Sequence, residues 1–177
     1  MKKLKKPILE FIPVFLGVIL ALLFNNINEG RIQRNKIDGL LEKIELGMIK
    51  NSQSLNKQLD QNQRVVDSLK YYQNEDDLRI TDILNRSQGI RYIQFDLAAW
   101  NVLKSSELLV EVDYEIVSLL YLLNESIDNE EDIDFPSVAR DAETKELLIG
   151  NLEDYNSSTR HRLVLTQRIQ KLLSEKD

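Results

Sequence analysis

The chain has 177 residues, with 23 basic and 29 acidic side chains, a formal net charge of −6 and no cysteine. This composition argues against a broad nucleic-acid-binding surface, and it excludes thiol catalysis, thiolate metal sites and disulfides. Because it contains only six glycines and three prolines among many helix-favouring residues, the chain is predicted to be all-α.

The first predicted element is a transmembrane helix at residues 7–27. Residues 11–24 carry no charge, and eleven of them are Leu, Ile, Val or Phe, each of which favours membrane insertion by roughly 0.3–0.6 kcal/mol. A helix over residues 7–27 is about 31 Å long, which matches the hydrocarbon thickness of a bilayer. Residues 1–6 contain four lysines and are predicted to form a basic cytoplasmic foot.

The fate of this span is open between three interpretations. Cleavage of a secretory signal needs small residues at its exit, whereas this exit carries Leu22, Leu23 and Phe24. The sequence therefore favours an uncleaved signal anchor over a cleaved signal or a buried helix of a soluble protein. The lysines before the span are more tightly clustered than the basic residues after it, which predicts a cytoplasmic N-terminus and an exported body.

Helical spacing places five residues near one side of the span: Glu10, Gly17, Ala21, Asn25 and Asn28. In one interpretation, the polar members simply mark the two membrane interfaces. In the other, this side contacts another helix, because the Gly17-xxx-Ala21 pair lets backbones approach and Asn side chains can hydrogen-bond across. A carboxylate near a span can also couple protons, but Glu10 lies close to two lysines, where water is available. The predicted partners are thus the lipid bilayer and either a second copy or a membrane-complex subunit.

The body is predicted to contain four segments. Apolar residues recur at steps of three, four and seven between Ile37 and Leu69, which predicts a long amphipathic helix with Ser52 and Asn62 setting its register. Asp96 and Asp113 are predicted helix N-caps, and a turn is expected at Ser87-Gln88-Gly89. The segments are a stalk helix at 28–77, a compact helical head at 78–127, an acidic linker at 128–137, and a C-terminal stalk helix at 138–177 that Ser137 opens.

The simplest packing of these segments is a long antiparallel helical hairpin stalk that continues the transmembrane helix, with the small head at its far end. Within the head, Trp100 has two interpretations. It is either the structural anchor of the core, which the sequence favours, or the centre of an interaction surface with Lys104, Ser105 and Ser106, because Trp often anchors interfaces.

Two stretches of the chain carry recognisable motifs: "EFIPVFLGVILALLFNNINEGR" and "AAWNVLKSSELLVEVDYEIVSLLYLL". Both resemble a family of small, uncharacterised, single-pass membrane-anchored helical proteins of Bacteroidota. The residues that match the family's patterns are Glu10, Asn25, Asn26, Asn28 and Glu29 in the first, and Ala99, Trp100, Leu103, Lys104, Ser105 and Ser106 in the second. Ile27 and Glu107 depart from the family's Trp and Gly. The resemblance implies a single-pass protein of the bacterial inner membrane with a helical, periplasmic body, and it implies no activity.

Catalytic and metal motifs are not found in the sequence. His161 is the one histidine, and it is predicted to be solvated or to lie between helices. The acidic run at residues 128–134 lacks calcium-loop spacing. We therefore predict no enzyme activity, no cofactor, no nucleic acid and no small-molecule substrate. The favoured function is a membrane-tethered interaction or scaffold protein, and the alternative is an accessory subunit of an energised inner-membrane complex in which Glu10 faces partner helices.

Overall fold

The computed structural model describes residues 5–131, 142 and 144–175, with side chains at 13–128, 142 and 144–175. Within these ranges there are five α-helices, one short 3-10 helix and no strand, which confirms the all-α prediction. Met1–Leu40 and Leu41–Asp177 form two compact units. The helices are α1 (Lys5–Tyr71), α2 (Ile80–Arg86), α3 (Ala98–Lys104), η1 (Glu107–Glu111), α4 (Tyr114–Glu131) and α5 (Lys145–Ser174).

Helix α1 supplies all the described structure of the first unit. It is the long N-terminal apolar helix that the sequence predicts, and the predicted span at residues 7–27 lies wholly within it. Pro13 lies inside α1, and the helix continues through it. Proline removes one backbone hydrogen bond, which costs least near the beginning of a helix.

In the second unit, α1 packs against α5. Three side-chain hydrogen bonds join them: Gln58 to Thr159, Lys70 to Glu153 and Gln73, just beyond the end of α1, to Glu146. The residue numbers of the bonded partners fall along α5 as they rise along α1, which is the order expected for antiparallel helices. An apolar cluster fills the same contact: Val65, Val66, Leu69, Ile83, Leu148, Ile149, Leu152 and Tyr155.

The ends of the long helices differ from the sequence prediction. α1 ends at Tyr71 rather than at residue 77, and in the turns that follow Lys145 Nζ donates to the carbonyls of Tyr72 at 2.8 Å and Glu75 at 2.6 Å. α5 begins at Lys145, where Thr144 Oγ1 accepts a hydrogen bond from the Leu147 amide. The predicted opening at Ser137 and most of the acidic linker lie outside the described residues.

The region predicted as a head also differs in part. The turn at Gln88 and Gly89 is confirmed by their positive φ angles of 67° and 71°, and Asp113 caps α4 through a 2.8 Å bond from the Glu115 amide. Asp96 is not an N-cap, and the N-cap of α3 is Leu97. α4 packs against α5, and its helix continues to Glu131 into the predicted linker.

Candidate membrane span and interaction surface

The apolar residues of the predicted span are exposed along α1. Every side chain from Pro13 to Glu29 is exposed, including Phe15, Leu20 and Phe24. Among the described helices, α1 alone is long and apolar enough to cross a membrane, and none of its most apolar window is buried. A core helix of a soluble protein would bury these side chains against other protein, so that interpretation does not fit the exposure seen here.

Four of the five residues predicted near one side of the span have described side chains. Gly17, Ala21, Asn25 and Asn28 are all exposed, and a Cβ added at Gly17 would meet no atom within 4 Å. Asn25 Nδ2 donates to Glu29 Oε1 at 2.7 Å, so this amide bonds within its own helix. The side chain of Glu10 lies outside the described part of the chain, and helix association stays a prediction.

Trp100 lies in the core of the second unit. Its exposed fraction is 0%, and its ring meets that of Tyr121 edge to face, with centroids 5.0 Å apart and planes at 90°. Such aromatic pairs contribute about 0.5–1.5 kcal/mol beyond the area they bury. Leu103, three positions along α3, is also fully buried. Trp100 therefore occupies a core position rather than an accessible one.

The three neighbours of Trp100 lie at or near the surface. Lys104 Nζ lies 5.4 Å from the centroid of the Tyr121 ring, a cation–π distance. Ser105 Oγ donates to the carbonyl of Val102, and Ser106 Oγ donates to that of Leu103. The two hydroxyls thus satisfy carbonyls at the end of α3. Lys104 and Tyr121 both remain exposed at this place.

A feature that the sequence analysis missed is a pair of asparagines on α1, Asn51 and Asn62, which we call the amide clamp. Asn62 donates to the carbonyl of Arg91 at 3.2 Å and accepts from its amide at 2.8 Å. Asn51 does the same with Asp96, at 3.2 and 2.9 Å. Eleven residues of helix rise about 16.5 Å, and the five steps from Arg91 to Asp96 span about the same length when nearly extended. The spacing of the clamp therefore matches the segment it holds.

Two further residues of α1 support the segment held by the clamp. Gln61 Nε2 donates to the carbonyls of Ser87 and Gly89. A Cβ added at Gly47 would lie 3.0 Å from the carbonyl oxygen of Asp96, so a larger residue there would press on this backbone, which would have to shift by a few tenths of an ångström. A sequence signal was present at Asn62, but it was interpreted differently, because Asn62 was expected to set the register between two helices.

Within the described residues, no group of three or more His, Cys, Asp or Glu side chains is placed to hold a metal ion. His161 is exposed on α5. Asp128 Oδ2 accepts a hydrogen bond from Asn124, and the other acidic side chains of that run lie outside the described set.

Compared with known protein families, curated proteins and solved structures, the chain matches none. The resemblance to membrane-anchored proteins of Bacteroidota therefore stays a prediction.

Proposed function

We propose that this protein is a membrane-tethered, non-enzymatic interaction or scaffold protein, anchored by residues 7–27. The observation that carries the proposal is the exposed, uncharged stretch of α1 up to Phe24. In the sequence, the eleven Leu, Ile, Val and Phe residues at positions 11–24 favour insertion by several kcal/mol in total, at roughly 0.3–0.6 kcal/mol each. In the second unit, apolar side chains are removed from water by packing against one another. In this stretch of α1, the bilayer would remove the apolar side chains from water instead.

The orientation that we propose has the N-terminus in the bacterial cytoplasm and the Leu41–Asp177 unit in the periplasm. Its support is the cluster of four lysines in residues 1–6. In the periplasmic unit, α1 and α5 form an antiparallel stalk. The order of the Gln58–Thr159 and Lys70–Glu153 bonds supports that pairing.

The proposed interaction surface of the periplasmic unit is centred on Lys104 and Tyr121. A lysine held over an aromatic ring presents a positive charge and an apolar edge together, which suits a partner that offers a carboxylate beside an apolar side chain. Non-enzymatic function is part of the proposal, and its support is the lack of convergent catalytic motifs in the sequence.

Alkaline extraction of membranes, with mass measurement of the mature protein, tests the anchor. We expect the protein to stay in the membrane pellet and to retain residues 7–27. Release into the supernatant, or a mature N-terminus after residue 20, would contradict the anchor. A reporter fused after Ser174 that fluoresces only in the cytoplasm would contradict the orientation.

The interaction surface is tested by crosslinking in whole cells followed by purification of the chain. We expect Lys104→Glu to lose the crosslinked partner without a change in melting temperature. Lys57→Glu is the matched control, because Lys57 is exposed on α1 outside this surface. Equal crosslinking of the wild type and both variants would exclude Lys104 from the interface.

A further inference from the structure

A set of buried polar side chains lies between α1 and α5 in the second unit. Gln58 Nε2 donates to Thr159 Oγ1 at 3.4 Å, and the antiparallel register set by this bond brings other polar residues opposite each other. The buried polar members from the two helices are Ser52, Gln58 and Asn62 on α1, and Asn156, Thr159 and Thr166 on α5. This polar contact differs from the apolar packing that the same two helices make further along their length.

Four members of this set have polar atoms that no described residue satisfies: Ser52, Gln58, Asn156 and Thr166. Gln58 and Asn156 are the two amides among them. Each is 1% exposed, and neither Asn156 Nδ2, Asn156 Oδ1 nor Gln58 Oε1 has a hydrogen-bond partner within the described part of the chain. Asn156 lies one helical turn, about 4.5 Å of rise, from Thr159, to which Gln58 donates. We call Gln58 and Asn156 the buried amide site.

The neighbours of the buried amide site are already engaged. Asn62, opposite Asn156 in this register, uses its amide for Arg91. The Thr159 hydroxyl donates to the carbonyl of Tyr155 at 2.9 Å. Arg162, the buried cation nearest along α5, is engaged in a contact within the chain. The site thus combines unused donors and acceptors from two uncharged amides, which suits a small neutral ligand that both donates and accepts hydrogen bonds.

We propose that the buried amide site binds internal water. One water molecule donates one hydrogen to Gln58 Oε1 and the other to Asn156 Oδ1, and a second accepts from Asn156 Nδ2. Buried polar groups in proteins are almost always hydrogen-bonded, and internal waters commonly bridge those that the chain itself leaves unsatisfied. Leaving these atoms unbonded would destabilise the seam more than each formed bond stabilises it.

The first test is the thermal unfolding of full-length Asn156→Leu in detergent. Leucine is close to asparagine in size and apolar, so it removes two polar atoms at one step. If water bridges the site, the variant leaves Gln58 Oε1 without its partner, and we expect the melting temperature to fall by several degrees. We expect the double variant Gln58→Leu/Asn156→Leu to recover most of that loss, because the polar site is then removed entirely.

The control for these variants is Gln167→Leu, which changes an exposed amide on the same helix and should shift the melting temperature by no more than a degree or two. A rise in melting temperature for Asn156→Leu would overturn the proposal, because it would mean that the amide had no partner to lose. No recovery in the double variant would also count against the site.

The second test needs no substitution. In the wild-type chain labelled with ¹⁵N-asparagine, we expect a nuclear Overhauser cross-peak between water and the Asn156 side-chain amide, with the sign of a long-lived water. The exposed amide of Asn101 is the internal control and should show only short-lived contact. The result that overturns the proposal is no long-lived water at Asn156, and in that case a fall in melting temperature would be assigned to a direct Gln58–Asn156 bond.

Discussion

Two regions of the same helix, α1, are rich in the same residue types and differ in what covers them. Leu20, in residues 13–27, is 51% exposed, whereas Leu55, in residues 44–69, is fully buried. In the second region the apolar side chains of α1 meet those of α5, such as Leu148 and Leu152. The first region has no such cover within the described residues. Hydrophobicity alone therefore does not define a core, because the first region is at least as apolar as the second and is exposed along the helix.

The residue patterns of the two regions differ in the same sense. Residues 13–24 are uncharged around the whole helix, whereas residues 44–69 carry apolar side chains on one stripe and polar ones elsewhere. A helix that is apolar all round is either buried on every side or surrounded by lipid, and a striped helix has one protein-facing side. The uncharged pattern of residues 13–24 therefore predicts a lipid environment, and the striped pattern of residues 44–69 predicts packing against protein on one side.

The largest expected effect comes from placing charge in the first region. Leu16→Arg/Leu20→Arg should move the protein from the membrane to the soluble or aggregated fraction. Each arginine near the middle of a span costs about 2.5–3.5 kcal/mol, so two cancel the insertion free energy of the whole run. Membrane fractionation measures the loss.

The matched control for that variant is Leu46→Arg/Leu147→Arg in the second unit. Leu46 and Leu147 are 52% and 51% exposed, as are Leu16 and Leu20 at 51% each. The control should remain in the membrane fraction. If both double variants behave alike, the difference between the two regions is not caused by lipid.

The next effect tests the core of the second unit at Trp100. Trp100→Ala removes a fully buried ring and its contact with Tyr121, which typically costs about 3–5 kcal/mol. We expect the melting temperature of the full chain in detergent to fall by roughly 10 °C. Val102→Ala, at an exposed position of the same helix, should have little effect. An unchanged melting temperature for Trp100→Ala would show that the ring is not part of the core.

A smaller effect is expected at the amide clamp. Asn62→Ala removes two hydrogen bonds and leaves the amide and carbonyl of Arg91 unbonded, at a cost of about 1–3 kcal/mol. The Arg91 amide should then exchange with deuterium at least about fivefold faster. Asn56→Ala on the exposed side of α1 is the control and should leave that exchange unchanged. Unaltered exchange in Asn62→Ala would mean that the clamp does not hold the segment.

The smallest effect distinguishes two helical glycines. Gly150→Ala should stabilise the protein by about 0.8–1.0 kcal/mol, because alanine favours helix and its Cβ meets nothing within 4 Å. Gly47→Ala places a Cβ 3.0 Å from the carbonyl oxygen of Asp96, so its gain in helix propensity should be cancelled or reversed. Thermal melts of the two variants measure the difference. Equal stabilisation by the two substitutions would contradict the close approach between Gly47 and Asp96.

The sequence predicted the long apolar helix and the all-α class because hydrophobic periodicity is a local property of neighbouring residues. It did not predict the amide clamp, because Asn51 and Asn62 bind backbone groups 45 and 29 residues away, and any residue type can supply such groups. The Asp96 prediction failed for the same reason. Its backbone bonds Asn51, and its carboxylate lies 3.5 Å from Lys50 Nζ.

If lipid covers the first region, as we propose, a cysteine placed there will be shielded from water-soluble reagents, and labelling measures this shielding. The chain has no native cysteine, so Leu20→Cys and Leu147→Cys each carry one thiol, at positions of equal exposure in the structure. We predict that in isolated, opened membranes a water-soluble maleimide labels position 147 fully and position 20 only after solubilisation and denaturation. Equal labelling of the two positions in intact bilayers would contradict the claim.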